Sequence, residues 1–314
     1  MKVLVFGLGA LGTVYSCLLK NAGHQVFGVD RENVVSEIVK QGVKVNGIWG
    51  EHQAFLNKVA KDFEELEQKD FDLIIITVKS YETAEVASKL AGILSPQTYL
   101  MLAQNGYGNF EAAARFIPQE QIILSRVIFG AETQELGSSK VTVIADDVVL
   151  GSPGKLVSIE TLQELAQGFS TAGIPTKASE EVMKYVWAKI IYNSALNPLG
   201  AILEVNYGKL AEMESTKSLM NSMIGEIFAL LSAMEQETLW PDANSYLQAF
   251  YSQLVPSTAL HHASMLQDIQ RGRKTEIDAL NGAVVELGKK YNVATPVNAV
   301  ISSLLRSKEA LFLR

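Results

Sequence analysis

Apolar residues in the first half of the chain come in short runs separated by longer amphipathic stretches. Val3–Phe6, Gln25–Val29, Leu73–Val78, Thr98–Ala103 and Ile122–Phe129 read as strands, with helical segments at Ala10–Asn21, Tyr81–Leu94 and Asn109–Phe116. This alternation predicts a parallel sheet covered by crossover helices, a doubly wound α/β arrangement. Val43–Asn46, Lys140–Ile144 and Val148–Leu150 are expected as shorter strands that add antiparallel edges to that sheet, and Ser152-Pro153-Gly154 as a turn. After Gly173-Ile174-Pro175 strand-like runs vanish and long amphipathic segments take over. Breaks at Pro198, near Pro241, at Pro256, around Gly272 and at Pro296 predict roughly five or six helices there. The reading is therefore two domains, 1–177 and 178–314.

Gly7-Leu8-Gly9-Ala10-Leu11-Gly12 follows the first strand directly and opens a helix. Gly7 permits the tight turn, Gly9 lets a pyrophosphate approach the backbone, and Gly12 lets helix and strand pack closely. Amides at the helix N-terminus then face the anion. An ordinary glycine-rich turn could carry the same letters. The loop's place after an N-terminal strand, with Asp30 standing 18 residues beyond Gly12, points instead to a dinucleotide.

Asp30 suits the ribose hydroxyls of NAD(H), whereas Arg31 beside it suits the extra phosphate of NADP(H). A carboxylate near a phosphate costs roughly 1 kcal/mol in water and more when desolvated. Arg–phosphate attraction is comparable and adds bidentate hydrogen bonds. The residues alone leave both cofactors open. Lys79 and Gln104-Asn105-Gly106 follow two later strands, and open α/β sheets bind ligands beyond such strand ends. Lys79 suits the cofactor's phosphates or ribose, and Asn105 the nicotinamide or a substrate oxygen. Their bland alternatives are a surface lysine and an Asn-Gly turn.

In the second half Lys189, Asn193 and Asn197 recur every four residues among apolar neighbours such as Trp187, Ile190, Ile191, Ala195 and Leu196. Each step turns a helix by only about 40°, so the three share one face. A polar stripe inside an apolar helix needs partners. An exposed stripe with coincidental spacing is the alternative.

The motifs, in order, are Gly7-x-Gly9-Ala10-x-Gly12, Val78-Lys79, Gln104-Asn105-Gly106 and Trp187-x-Lys189-x-x-x-Asn193-x-x-x-Asn197-Pro198. Ser264-Met265-x-Gln267-Asp268 and Arg273-x-Thr275-Glu276-Ile277-Asp278 complete the set. Together they resemble the ketopantoate reductase family along nearly the whole chain. The resemblance implies an N-terminal Rossmann-type doubly wound sheet with an all-α C-terminal domain like that of 6-phosphogluconate dehydrogenase. The implied activity is NADP(H)-dependent reduction of 2-dehydropantoate to (R)-pantoate in pantothenate biosynthesis. It also implies roles: Lys189 as proton donor, with Glu276 at the substrate and the cofactor end. Asn193, Asn197 and Ser264 would hold substrate, Lys79 and Asn105 would lie at the cofactor, and Arg31 at its adenosine phosphate. Asp30 departs from the pattern, and Asn206 is the nearest candidate for a further substrate asparagine.

Two alternatives stay open: a related dehydrogenase of another 2-keto or 3-hydroxy acid, and a non-catalytic dinucleotide sensor. Retention of Lys189, Asn193, Asn197 and Glu276 disfavours the sensor, since sensing needs only the first domain.

Composition narrows the field further. The 314 residues carry 27 Lys+Arg against 34 Asp+Glu, a formal net charge of −7, and 48% are hydrophobic. An acidic balance without basic runs argues against nucleic acid, and no apolar stretch approaches the roughly 18 residues of a membrane span. One cysteine, Cys17, fits a reducing, cytoplasmic setting and reads as a packed thiol. No His, Asp or Glu set has metal-ligand spacing. The Met220/Met223 and Leu230/Leu231 stripe reads as helix core, with a homodimer surface as the minority alternative.

Overall fold

The structure, a computed structural model, describes residues 1–312. Contacts divide the chain into two units, 1–104 with 109–182 and 105–108 with 183–314. In chain order the first unit runs β1 (Lys2–Phe6), α1 (Ala10–Asn21), β2 (Gln25–Val29), α2 (Glu32–Gln41), β3 (Val43–Gly47), β4 (His52–Ala54), β5 (Lys58–Ala60) and β6 (Leu73–Ile76). It continues through α3 (Thr83–Leu90), β7 (Tyr99–Leu102), α4 (Asn109–Ala113), β8 (Ile122–Arg126), β9 (Phe129–Glu135), β10 (Ser138–Ile144), β11 (Val148–Gly151), α5 (Ile159–Thr171) and β12 (Thr176–Ala178).

Eight strands form one sheet in the order β12-β11-β8-β7-β6-β1-β2-β5, parallel except where β11 runs against β8. All four residues of β6 are buried, which is why it reads as an unbroken apolar run. The register sets Phe6 level with both Val29 and Ile76, so the ends of β1, β2 and β6 coincide. That alignment positions the loop that follows β1.

The strands at Val43 and Lys140 do not extend this sheet, contrary to expectation. With β4 and β9 they form a second sheet, β4-β3-β10-β9. The cause lies in α1, where every residue from Gly12 to Leu19 is buried. A helix buried on all sides needs cover on both faces, and Val43, Val45 and Val141 of the second sheet share a core with its Tyr15 and Cys17. Burial pushes the Cys17 thiol up to about 12, so it is packed and inert.

The helical unit holds α6 (Val182–Leu203), α7 (Tyr207–Glu212), α8 (Glu214–Ala233), α9 (Ala243–Ala249), α10 (Val255–Ser257), α11 (Ser264–Gln270), α12 (Asn281–Tyr291) and α13 (Pro296–Phe312). Pro198 does not break α6. Proline deprives the carbonyl of Ser194, four residues back, of its helical donor. The Asn281 amide supplies the missing bond at 3.0 Å. Asn281 in turn donates to Asn298 Oδ1 at 2.9 Å, and Asn298 Nδ2 to Glu226 at 2.7 Å. Lys308 caps the other end of α6, donating to the Ala201 and Ile202 carbonyls at 2.8 and 3.2 Å. Nor does Pro256 interrupt the helical path, because a π-helical turn at Phe250–Leu254 joins α9 to α10. Met220, Met223, Leu230 and Leu231 lie in the core of this unit. No described helix is long and apolar enough to cross a membrane.

Candidate functional site

The sheet unit carries the glycine loop at the common end of β1, β2 and β6. Gly7 adopts φ +95°, open to glycine without strain, and its N–H donates to the Val29 carbonyl at 2.8 Å. A Cβ at Gly12 would collide with the Gly7 carbonyl, whereas one at Gly9 would meet nothing within 4 Å. The loop is thus packed tight on the protein side and open at Gly9, with Ala10 and Leu11 starting α1. This shape fits a pyrophosphate approaching the backbone at a helix N-terminus.

Two residues tie the loop down. Thr77 donates its hydroxyl to the Gly7 carbonyl. The Asp30 carboxylate accepts the Leu8 N–H at 2.5 Å and the Arg31 N–H at 2.6 Å. Arg31 is exposed, its Nε 3.6 Å from Asp30 Oδ1. Glu82 completes this corner: burial pushes its carboxyl up, and the opposing pull of Arg31 offsets part of the shift. Lys79 is half-buried beyond β6, immediately before the turn Ser80–Glu82.

The helical unit gathers the other predicted residues. Lys189, Asn193 and Asn197 follow one face of α6, with Lys189 half-buried and both asparagines buried. Asn193 is 8% exposed, yet its amide has no hydrogen-bond partner among the described residues. A buried amide left unspent in the protein is spent on a ligand or on water. Glu276 is buried too. Its carboxylate accepts the Asn105 amide at 3.2 Å, so it does not act as a helix-capping acid. Asn105–Gly108 belongs to this unit, held by the Tyr107 N–H donating to Ala279 at 2.7 Å. Gly106, at φ +90°, touches Ala279 so closely that any Cβ would clash. Ser264 opens α11 and is half-buried.

The Asn206 side chain caps α7, its Oδ1 accepting the Lys209 N–H at 3.0 Å.

Two family models match this chain: Ketopantoate reductase PanE/ApbA over residues 3–154 and its C-terminal counterpart over 181–309. The chain belongs to the ketopantoate reductase family. It is 46% identical to a 2-dehydropantoate 2-reductase of Aquifex aeolicus, covering 100% of this chain and 99% of the relative. A Pyrococcus abyssi 2-dehydropantoate 2-reductase is 33% identical, with 99% of both chains covered. Among solved structures, a PanE/ApbA family ketopantoate reductase from Ralstonia eutropha superimposes with a TM-score of 0.88 at 26% identity, covering 100% of each chain. A D-mandelate dehydrogenase solved with NADH and anilino(oxo)acetate gives 0.87 at 26% identity over 99% of each. The α/β fold with an all-helical C-terminal part is that of the family.

Reasoning from the sequence of this ketopantoate reductase family member missed Thr77, Glu82 and Tyr207. Thr77 and Glu82 flank Lys79 in the chain, and that proximity was the available signal. Tyr207 donates its hydroxyl to the Asn197 side chain ten residues back, a bond that only the folded chain makes.

Proposed function

We propose that the chain reduces 2-dehydropantoate to (R)-pantoate in pantothenate biosynthesis, with a nicotinamide dinucleotide, NADP(H), as hydride carrier. One observation carries this reading. The unspent Asn193 amide lies on the same helical face as Lys189, in a chain 46% identical along its length to a 2-dehydropantoate 2-reductase.

A bound dihydronicotinamide supplies hydride to the ketone carbon. The protein's residues do the rest. Gly7, Leu8, Gly9, Ala10, Leu11 and Gly12 present backbone to the pyrophosphate, Arg31 meets the adenosine phosphate, and Lys79 the phosphates or ribose. Lys189 polarises the ketone and gives its proton to the alkoxide oxygen as that oxygen gains charge. Asn193, Asn197 and Ser264 orient the ketoacid without adding charge. Glu276 takes a substrate hydroxyl or steadies Lys189, and Asn105, already bonded to Glu276, serves the same end of the site. The lone cysteine, Cys17, suits a reducing compartment, and we place the enzyme in the cytoplasm.

Lys189→Ala is expected to lower kcat by about 10²- to 10⁴-fold, with the dinucleotide Kd unchanged in a fluorescence titration. Full turnover by the folded variant would remove Lys189 from the proton-donor role. The D-mandelate dehydrogenase likeness favours a second reading, reduction of another 2-ketoacid. Cofactor oxidation followed at about 340 nm separates the two. Robust turnover of phenylglyoxylate and none of 2-dehydropantoate would put that reading first.

A further inference from the structure

Tyr207, the first residue of α7, sends its hydroxyl to Asn197 Oδ1 on α6. It is held on several sides. Its N–H donates to the His261 carbonyl at 3.1 Å, the Tyr192 ring meets it edge-on with centroids 6.0 Å apart, and the His261 ring lies at 5.4 Å. Gly208 beside it packs so closely on Ala259 that an added Cβ would stand 3.1 Å from the Ala259 carbonyl oxygen. Burial raises the Tyr207 phenol well above its ordinary range, so it keeps its proton and stays a donor. The described residues offer Asn197 Nδ2 no acceptor.

We propose that Tyr207 is a positioning residue that fixes the sense of the Asn197 amide, occupying its oxygen and leaving its two N–H donors for the ligand. An amide can otherwise turn end for end and offer donor or acceptor equally. Locked this way, Asn197 recognises an oxygen acceptor on the ketoacid, its carboxylate or its ketone, and not a hydroxyl hydrogen. The inference rests on the reading of Asn197 as a substrate residue.

The test is a double-mutant cycle with 2-dehydropantoate as substrate. Asn197→Ala alone is expected to raise KM about tenfold or more. Tyr207→Phe, which removes only the hydroxyl, is expected to raise KM about three- to tenfold with a much smaller change in kcat. In the Asn197→Ala background the same change should add nothing, since the two act as one unit. Asn197→Asp keeps the acceptor for Tyr207 but replaces the donors with a second oxygen, so KM should rise at least as far as in Asn197→Ala. A silent Asn197→Ala would overturn the substrate role of Asn197 itself. A clear Asn197→Ala effect beside a silent or fully additive Tyr207→Phe, or a wild-type KM in Asn197→Asp, would overturn the positioning role alone.

Discussion

Two demands meet on the Asp30 side chain. Its carboxylate anchors the glycine loop through the Leu8 and Arg31 N–H groups, yet its charge opposes any phosphate brought to the exposed Arg31 guanidinium. Glu82 adds a second acidic group at the same corner. The geometry favours the anchoring role, because both carboxylate oxygens already accept backbone donors. Arg31→Ala should therefore weaken NADPH about tenfold and leave NADH nearly unchanged. Asp30→Ala should weaken both, because the loop loses its tether. Fluorescence titration of each reduced cofactor measures both effects, and a loss confined to NADH would instead make Asp30 a reader of ribose. Adjacent in the sequence, Asp30 and Arg31 pointed to opposite cofactors. Only their side-chain directions distinguish a tether from a phosphate clamp.

At the scale of elements, the helix that carries Lys189, Asn193 and Asn197 survives an internal proline because a distant amide completes it. Asn281→Ala would leave the Ser194 carbonyl buried without a donor, at a cost of about 1–3 kcal/mol. The urea midpoint reads that loss. A variant as stable as wild type would mean that Ser194 finds another donor. The four-residue spacing of the polar stripe was legible, since helical periodicity is local. The continuity of α6 through Pro198 was not, because the compensating Asn281 lies 83 residues further along the chain. The strands at Val43 and Lys140 were recognised in the same way, but their sheet was not. Strand propensity says nothing of partner, and the partner was decided by the need to cover the second side of α1.

Across the whole molecule each unit has its own core, and each carries a carboxylate held below its usual range. Partial burial pushes Asp146 up, but hydrogen bonds from Arg126 and Lys177 outweigh it. In the same way Arg306 and Lys274 outweigh the desolvation of Asp278. A depressed carboxyl stabilises the fold above its unfolded pKa, about 3.9, and that contribution fades as pH falls through the lower folded value. The urea midpoint should therefore decline from pH 5 towards pH 3, and decline less steeply in an Asp146→Asn, Asp278→Asn double variant. Equal slopes would assign acid lability to other groups. The chain's own pattern determined the α/β order, the glycine loop and the helical stripe, because each depends on neighbours within a few residues. Tertiary structure alone decided which sheet each short strand joins, which way Asp30 turns, and that Tyr207 reaches Asn197. Those outcomes depend on groups brought together by packing and burial, which no local spacing encodes.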